Sequence, residues 1–129
     1  MAVRLSERSF GFAKKLIDER RVVLDVRDDW SEHQPSAQQE NEFIQEHGFS
    51  EYGRWYLGVD DEYAEDNKSR YKFPYGDFKN AYRCGVIAAE VRAAQRKYAD
   101  IEVAAAHLHD MLDELMRPTM AAGPEPADP

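Results

Sequence analysis

Two helical patterns lie almost end to end near the C-terminus, with only Ala99 and Asp100 between them, and this spacing constrains the fold most. From Asp77, the expected cap, to about Lys97, the residues Phe78, Tyr82, Gly85, Ala89 and Ala93 recur on one face. Cys84, Ile87 and Val91 form a second apolar stripe. A helix apolar on two faces belongs at the centre of its domain. Gly85, Ala88 and Ala89 carry almost no side chain, so a neighbouring backbone can come close there. Asp100 is the expected cap of the next helix, on which Ile101, Ala105, Leu108, Leu112 and Leu115 share a face up to Met116. Helices joined by so short a link fold back antiparallel.

The N-terminal half is read the same way. Ser6 can cap a helix that buries Phe10, Ala13, Leu16 and Ile17 and ends near Arg20 or Arg21. Val22 to Val26 is too short for a helix and is a short strand or an extended connector. Ser36 followed three residues later by Gln39 is a capping box, predicting a helix from Ala37 to His47 that Gly48 ends. Between Glu51 and Pro74, two aromatic runs flank an acidic stretch, Asp60 to Asn67. Residues 55-59 and 70-73 suit either a two-stranded β-hairpin or an extended loop anchored by its aromatics, with the hairpin slightly preferred. After Met116 four prolines predict a disordered or extended tail, 117-129. The expectation is a mainly α, four-helix bundle over residues 1-116, with helix 77-97 central and helix 100-116 antiparallel to it. Its core would hold Phe10, Ile17, Phe43, Ile44, Trp55, Phe73, Phe78, Val86, Ala89, Leu108 and Leu112.

Charge is unevenly distributed. Lys68 to Lys97 holds eight basic residues and two acids, a net +6, so the remainder carries -14 of the total of -8. Six aromatics accompany the basic residues: Tyr71, Phe73, Tyr75, Phe78, Tyr82 and Tyr98. Such a mixture suits an anionic partner such as single-stranded nucleic acid, since cations neutralise phosphates and aromatic faces stack on bases. It equally suits neutralisation by the acidic remainder, within the domain or across a homo-oligomer. Arg92 and Arg96 fall on the partly apolar face of their helix, where arginine makes a buried ion pair, with Asp25, Asp28 or Asp29 for example, or lines an anion pocket.

Other chemistry finds little support. His107 and His109, two apart on a helix, point about 200° apart and cannot grip one metal ion together. None of the four histidines has a Glu three residues before it, and one cysteine is too few thiols for a usual zinc set. The acidic loop lacks the ligand order of a calcium-binding loop. Cys84 sits mid-helix in apolar company, the setting of an inert thiol. No glycine-rich phosphate loop, dinucleotide turn or nucleophile elbow occurs, so no metal or cofactor is expected. No 20-residue apolar run occurs and Met1 to Arg8 lacks the apolar region of a secretory signal, so neither a membrane span nor a leader is expected, and the single cysteine suits a reducing cytoplasm.

The run Ser69-Arg-Tyr-Lys-Phe-Pro-Tyr-Gly-Asp-Phe-Lys-Asn-Ala-Tyr-Arg-Cys-Gly, continued by Tyr98-Ala-Asp-Ile-Glu, resembles a family of small uncharacterised bacterial proteins, from about Val3 to Leu115. Lys72, Phe73, Pro74 and Asp77, leading into Ala81, Ala88 and Ala89, are also similar to a short helical module of phage-derived proteins. The physics of that motif is structural: Pro74 keeps Phe73 extended, Gly76 turns and Asp77 caps. Taken together, the residues predict a non-enzymatic binding module for a protein partner, itself or an anion. Its ligand-binding candidates are Arg70, Lys72, Lys79, Tyr82, Arg83, Arg92 and Arg96. The alternative is a small enzyme or ligand pocket around Arg92, Arg96 and Tyr82 with the acids near Asp28.

Overall fold

The computed structural model describes residues 3-25 and 30-116, and in it short strands and helices of up to 17 residues assemble around two small sheets. Val3–Leu5 (β1), Tyr56–Asp60 (β3) and Tyr71–Pro74 (β4) form an antiparallel sheet in the order β1-β3-β4. Val22–Val23 (β2) and Ala81–Tyr82 (β5) pair in parallel. The helices are Glu7–Asp18 (α1), Trp30–His33 (α2), Ala37–Gly53 (α3), Arg83–Arg96 (α4) and Ala99–Leu115 (α5). The fold is therefore α+β, and the mainly α, four-helix bundle expected from the periodicities is wrong. The aromatic runs do pair, Gly58 against Lys72 and Val59 against Tyr71, but as two strands of a three-stranded sheet. The tail 117-129 lies outside the described residues.

Local chemistry explains most starts and stops. The Ser6 hydroxyl accepts the Ser9 N–H at 3.2 Å and caps α1. Ser36 and Gln39 form their capping box, at 2.8 and 3.2 Å, at the head of α3. Gly48, at φ 86°, breaks that helix, and a further helical turn carries it on to Gly53.

The largest local error concerns residues 77 to 82. Asp77 caps a tight turn instead of a helix: its carboxylate accepts the N–H groups of Lys79 (3.0 Å) and Asn80 (2.9 Å). Phe78 takes the left-handed conformation at φ 71°, and Ala81 donates its N–H to the Arg21 carbonyl, drawing Ala81–Tyr82 into strand pairing with Val22–Val23. The helix starts only at Arg83, where the Asp25 carboxylate, brought in from β2's side, accepts the Cys84 N–H at 3.0 Å. Asp100 is likewise diverted: one of its oxygens accepts the Leu5 N–H at 2.8 Å and so ties β1 to the head of α5.

The core lies where α1 and α5 pack on β3 and where α4 packs on α5. Leu16, Leu57, Val86, Ile101, Leu108 and Leu112 are buried there, next to an aromatic group of Tyr52, Trp55, Tyr56 and Tyr75. Phe10, Phe43, Ile44 and Phe78, expected inside, are only partly buried and pack against its edge.

The tight turn between α4 and α5 is made without glycine. Lys97 ends α4 at φ 64°, and Tyr98 donates its N–H back to Ala93 at 2.9 Å. A side-chain-bearing residue in that conformation costs about 1–2 kcal/mol, part of which glycine's extra freedom in the unfolded chain takes back. Lys97→Gly should therefore stabilise the fold by about 0.5–1 kcal/mol, seen as a higher urea midpoint at unchanged slope.

Candidate functional site

A cleft of about 330 Å³ opens where the sheet meets the α4–α5 turn. Val3 of β1, Asp60 at the end of β3 and Lys72 with Phe73 on β4 form one side; Arg92 and Arg96 of α4 and Tyr98 form the other. Arg92 and Arg96 are one helical turn apart and exposed, while Ala89 and Ala93 of the same helix are buried. Neighbouring strand residues ordinarily point to opposite faces. Phe73, at φ 66°, breaks that alternation, and it and Lys72 both reach the cleft. Gly58 makes room for the Phe73 ring, since a Cβ there would lie 3.0 Å from it and from Ile101. Phe73 and Tyr98 meet edge to face at 5.9 Å.

The cations of this cleft hold no acid partner among the described residues, which is equally so of Lys15, Lys79 and Lys97. What sets them apart is that they line one concavity. Among the described residues, Arg4 pairs with Asp61, Lys68 with Glu40, Arg70 with Asp61 and Arg83 with Asp113. Lys72, Arg92 and Arg96 make no such pair among the described residues, and the Lys72 ammonium instead stands 5.6 Å from the Tyr63 ring centre. Asp60, the one carboxylate among the residues lining the cleft, has an oxygen accepting the Glu62 N–H at 3.0 Å. Lys72, Arg92 and Arg96 thus bring three positive charges, and no acid pair among the described residues, to one concave space.

The other residues singled out from sequence are not gathered here. Arg70 donates to the Tyr63 carbonyl at 2.8 Å, and Arg83 donates to Asp113 at 2.9 Å and to the Asp25 carbonyl at 3.3 Å. Lys79 is exposed on the Asp77 turn, and its carbonyl accepts from Arg21. Tyr82 precedes α4, ten residues from Arg92 or about 15 Å of helix, with its ring near Trp30 and stacked on His33. Its hydroxyl donates to Asp77 at 3.1 Å. The grouping of Arg92, Arg96 and Tyr82 is thus split, and Tyr98 stands where Tyr82 was expected. Asp28 and Asp29 lie outside the described residues. The residues missed were Val3, Asp60, Phe73 and Tyr98, which adjoin the cations only through the sheet and the tight turn.

The aromatics of the basic segment are largely consumed by packing. Phe73 and Tyr75 are buried, Phe78 stacks on Phe43 at 4.5 Å, and Tyr71 lies over Gly53, leaving no row of open faces for successive bases. A larger cleft of about 600 Å³ mixes Arg4, Arg8 and Arg70 with Glu7, Glu65 and Asp66, and Arg4 and Arg70 already hold Asp61. The bonded Arg4 guanidinium holds the Asp61 carboxyl below its ordinary range. No group of three metal-ligating side chains stands together among the described residues. His109 lies between Glu90 (2.8 Å) and Asp113 (3.4 Å), and Cys84 is buried. No helix of the described residues is long and apolar enough to cross a membrane.

Burial also sets a pH limit on the fold. It raises the Tyr52 and Tyr82 hydroxyls to about 12 and those of Tyr56 and Tyr75 upward as well. The Tyr52 and Tyr56 hydroxyls lie 2.8 Å apart, and Tyr56 donates to Glu40 at 3.2 Å. The fold holds these groups neutral, so their contribution is complete below pH 10, the ordinary tyrosine value, and is lost as pH rises towards and through 12. The urea midpoint should accordingly fall steeply between pH 10 and 12, with a rise in tyrosinate absorbance accompanying unfolding.

No family model matches the chain, and comparison with curated proteins and with solved structures likewise gives no match.

Proposed function

We propose that this protein is a non-enzymatic cytoplasmic binding module whose ligand is a small phosphate-bearing anion, held in the cleft between Lys72, Arg92 and Arg96. The observation that carries this reading is that three cations, none paired with an acid among the described residues, converge on one concave site. Guanidinium groups grip phosphate oxygens in pairs, and an ammonium adds a mobile point charge. Paired Arg70 and Arg83 have structural work elsewhere and form no common surface with Lys79. Buried aromatics weigh against a single-stranded nucleic acid read by stacking, and charge neutralised within the domain weakens the case for a homo-oligomer or protein partner built on the whole basic segment.

The test is calorimetric titration with inorganic pyrophosphate at several salt concentrations. Binding should weaken as salt rises, disappear in Arg92→Glu and persist in Lys79→Glu, whose charge is exposed outside the cleft. No binding at low salt, or equal loss in both variants, would overturn the reading.

A further inference from the structure

We infer that the cleft takes a nucleoside 5′-monophosphate, an inference that rests on the anion reading and narrows it to one ligand class. Its volume of about 330 Å³ is at the small end for ligand pockets, which run from about 300 Å³ upward, and so fits one nucleotide and not a dinucleotide or a strand. The lining carries three kinds of group: cations, one carboxylate and aromatic rings. Arg92 and Arg96, on adjacent turns of α4, and Lys72 on β4 face a common space, a set of donors matched to a phosphate dianion. Asp60 offers the opposite kind of group, a carboxylate that only accepts. Facing a phosphate it would repel; facing a sugar, it can accept from the two neighbouring hydroxyls of a ribose.

The same lining includes two aromatic residues, Phe73 and Tyr98. The buried Phe73 ring meets Tyr98 edge to face, which fixes Tyr98 in a stable orientation beside the cleft. Tyr98 is half-buried and lines the cleft, a single aromatic side chain on which one base, but not a run of bases, can stack. A bare phosphate would leave both Asp60 and this aromatic wall without a function, and a nucleoside would leave the three cations unanswered. A nucleoside monophosphate engages all three features.

The inference is tested on the full chain by calorimetry with adenosine, guanosine and cytidine 5′-monophosphates, ribose 5-phosphate, inorganic phosphate, pyrophosphate and adenosine. At least one monophosphate should bind about tenfold or more tightly than inorganic phosphate and ribose 5-phosphate, the increment of one base stacked on an aromatic ring. Adenosine alone should bind no more than weakly. Tyr98→Leu should remove that tenfold advantage, while Lys79→Glu, outside the cleft, should keep the parent's affinity for both nucleotide and pyrophosphate, and urea unfolding shows that each variant is folded. Asp60→Asn should weaken the ribonucleotide more than its 2′-deoxy counterpart. Equal affinity for nucleotide and inorganic phosphate would overturn the inference and leave the anion reading standing. Tighter binding of a mixed-sequence oligonucleotide than of any mononucleotide would overturn it in favour of a strand. Failure of every phosphate compound, pyrophosphate included, would remove the anion reading itself.

Discussion

Replacing Gly76 with alanine should destabilise the fold by about 3 kcal/mol, at the upper end of what overpacking usually costs. An added Cβ would stand 2.6 Å from the Asn80 carbonyl oxygen and 2.7 Å from two atoms of the Trp55 ring. Neither wall can retreat cheaply. The Asn80 carbonyl accepts the Asp77 N–H, and the same turn is locked by the Asp77 carboxylate. Trp55 is buried, stacked with Tyr75 at 6.0 Å and edge-on to Phe12 and Phe78. The damage should spread, because this turn delivers Ala81 and Tyr82 to their pairing with Val22 and Val23. Urea denaturation reads the effect directly as a lower midpoint with an unchanged slope. A loss below about 1 kcal/mol would mean that the turn is not built as described.

Neutralising the cleft should separate function from stability. In Lys72→Gln/Arg92→Gln/Arg96→Gln, anion affinity should fall at least about a hundredfold, since each charged hydrogen bond contributes about 1.5–3 kcal/mol. Stability should stay within about 0.5 kcal/mol of the parent, because no described acid loses a partner and one like-charge pair a helical turn apart is relieved. Arg83→Gln should behave in the opposite way. Arg83 is largely buried and bridges Asp113 on α5 to the Asp25 carbonyl, so its loss should destabilise the fold and leave anion binding intact. Calorimetric titration and urea unfolding on the same two proteins check both halves. Comparable stability losses in the two variants would mean that the cleft cations, too, are structural.

What the sequence disclosed and what it withheld divide along the range of the interactions. Ser6, the Ser36–Gln39 box and Gly48 act within a few residues, and their effects can be read from the chain. The antiparallel setting of α4 and α5 follows from their short link, and Gly85 does admit a neighbouring backbone, with the Tyr75 carbonyl 2.8 Å from where its Cβ would be. Asp77 shows the limit of such reasoning. An aspartate after a glycine caps a turn as well as it caps a helix, and the choice was made by Arg21 and Val22, some 60 residues earlier in the chain. Nothing in Val3–Leu5 announces a strand, because three residues carry no alternation; their partner in β3 makes them one. The fold class was misjudged for that reason.

The site was half legible. Charge segregation drew attention to Lys72, Arg92 and Arg96 along with four other residues, but could not tell an answered cation from an unanswered one. That distinction depends on which acids the fold pairs with them: Asp61 with Arg70, Asp113 with Arg83, and none of those described with Lys72, Arg92 or Arg96, although Asp60 lines the same cleft. Tyr98 was noted only as one aromatic among six. Its place became visible with the left-handed Lys97, which turns the chain there, and with Phe73, whose positive φ turns its ring towards the same space.

The most direct test of the central claim is to follow the arginine Nε–Hε resonances of the nitrogen-15-labelled protein while inorganic pyrophosphate is added at low salt. The signals of Arg92 and Arg96 should move together and saturate along one curve, while those of Arg70 and Arg83, already held by Asp61 and Asp113, stay in place. Stationary Arg92 and Arg96 signals, or equal movement of all four, would contradict the assignment of the cleft as the anion site.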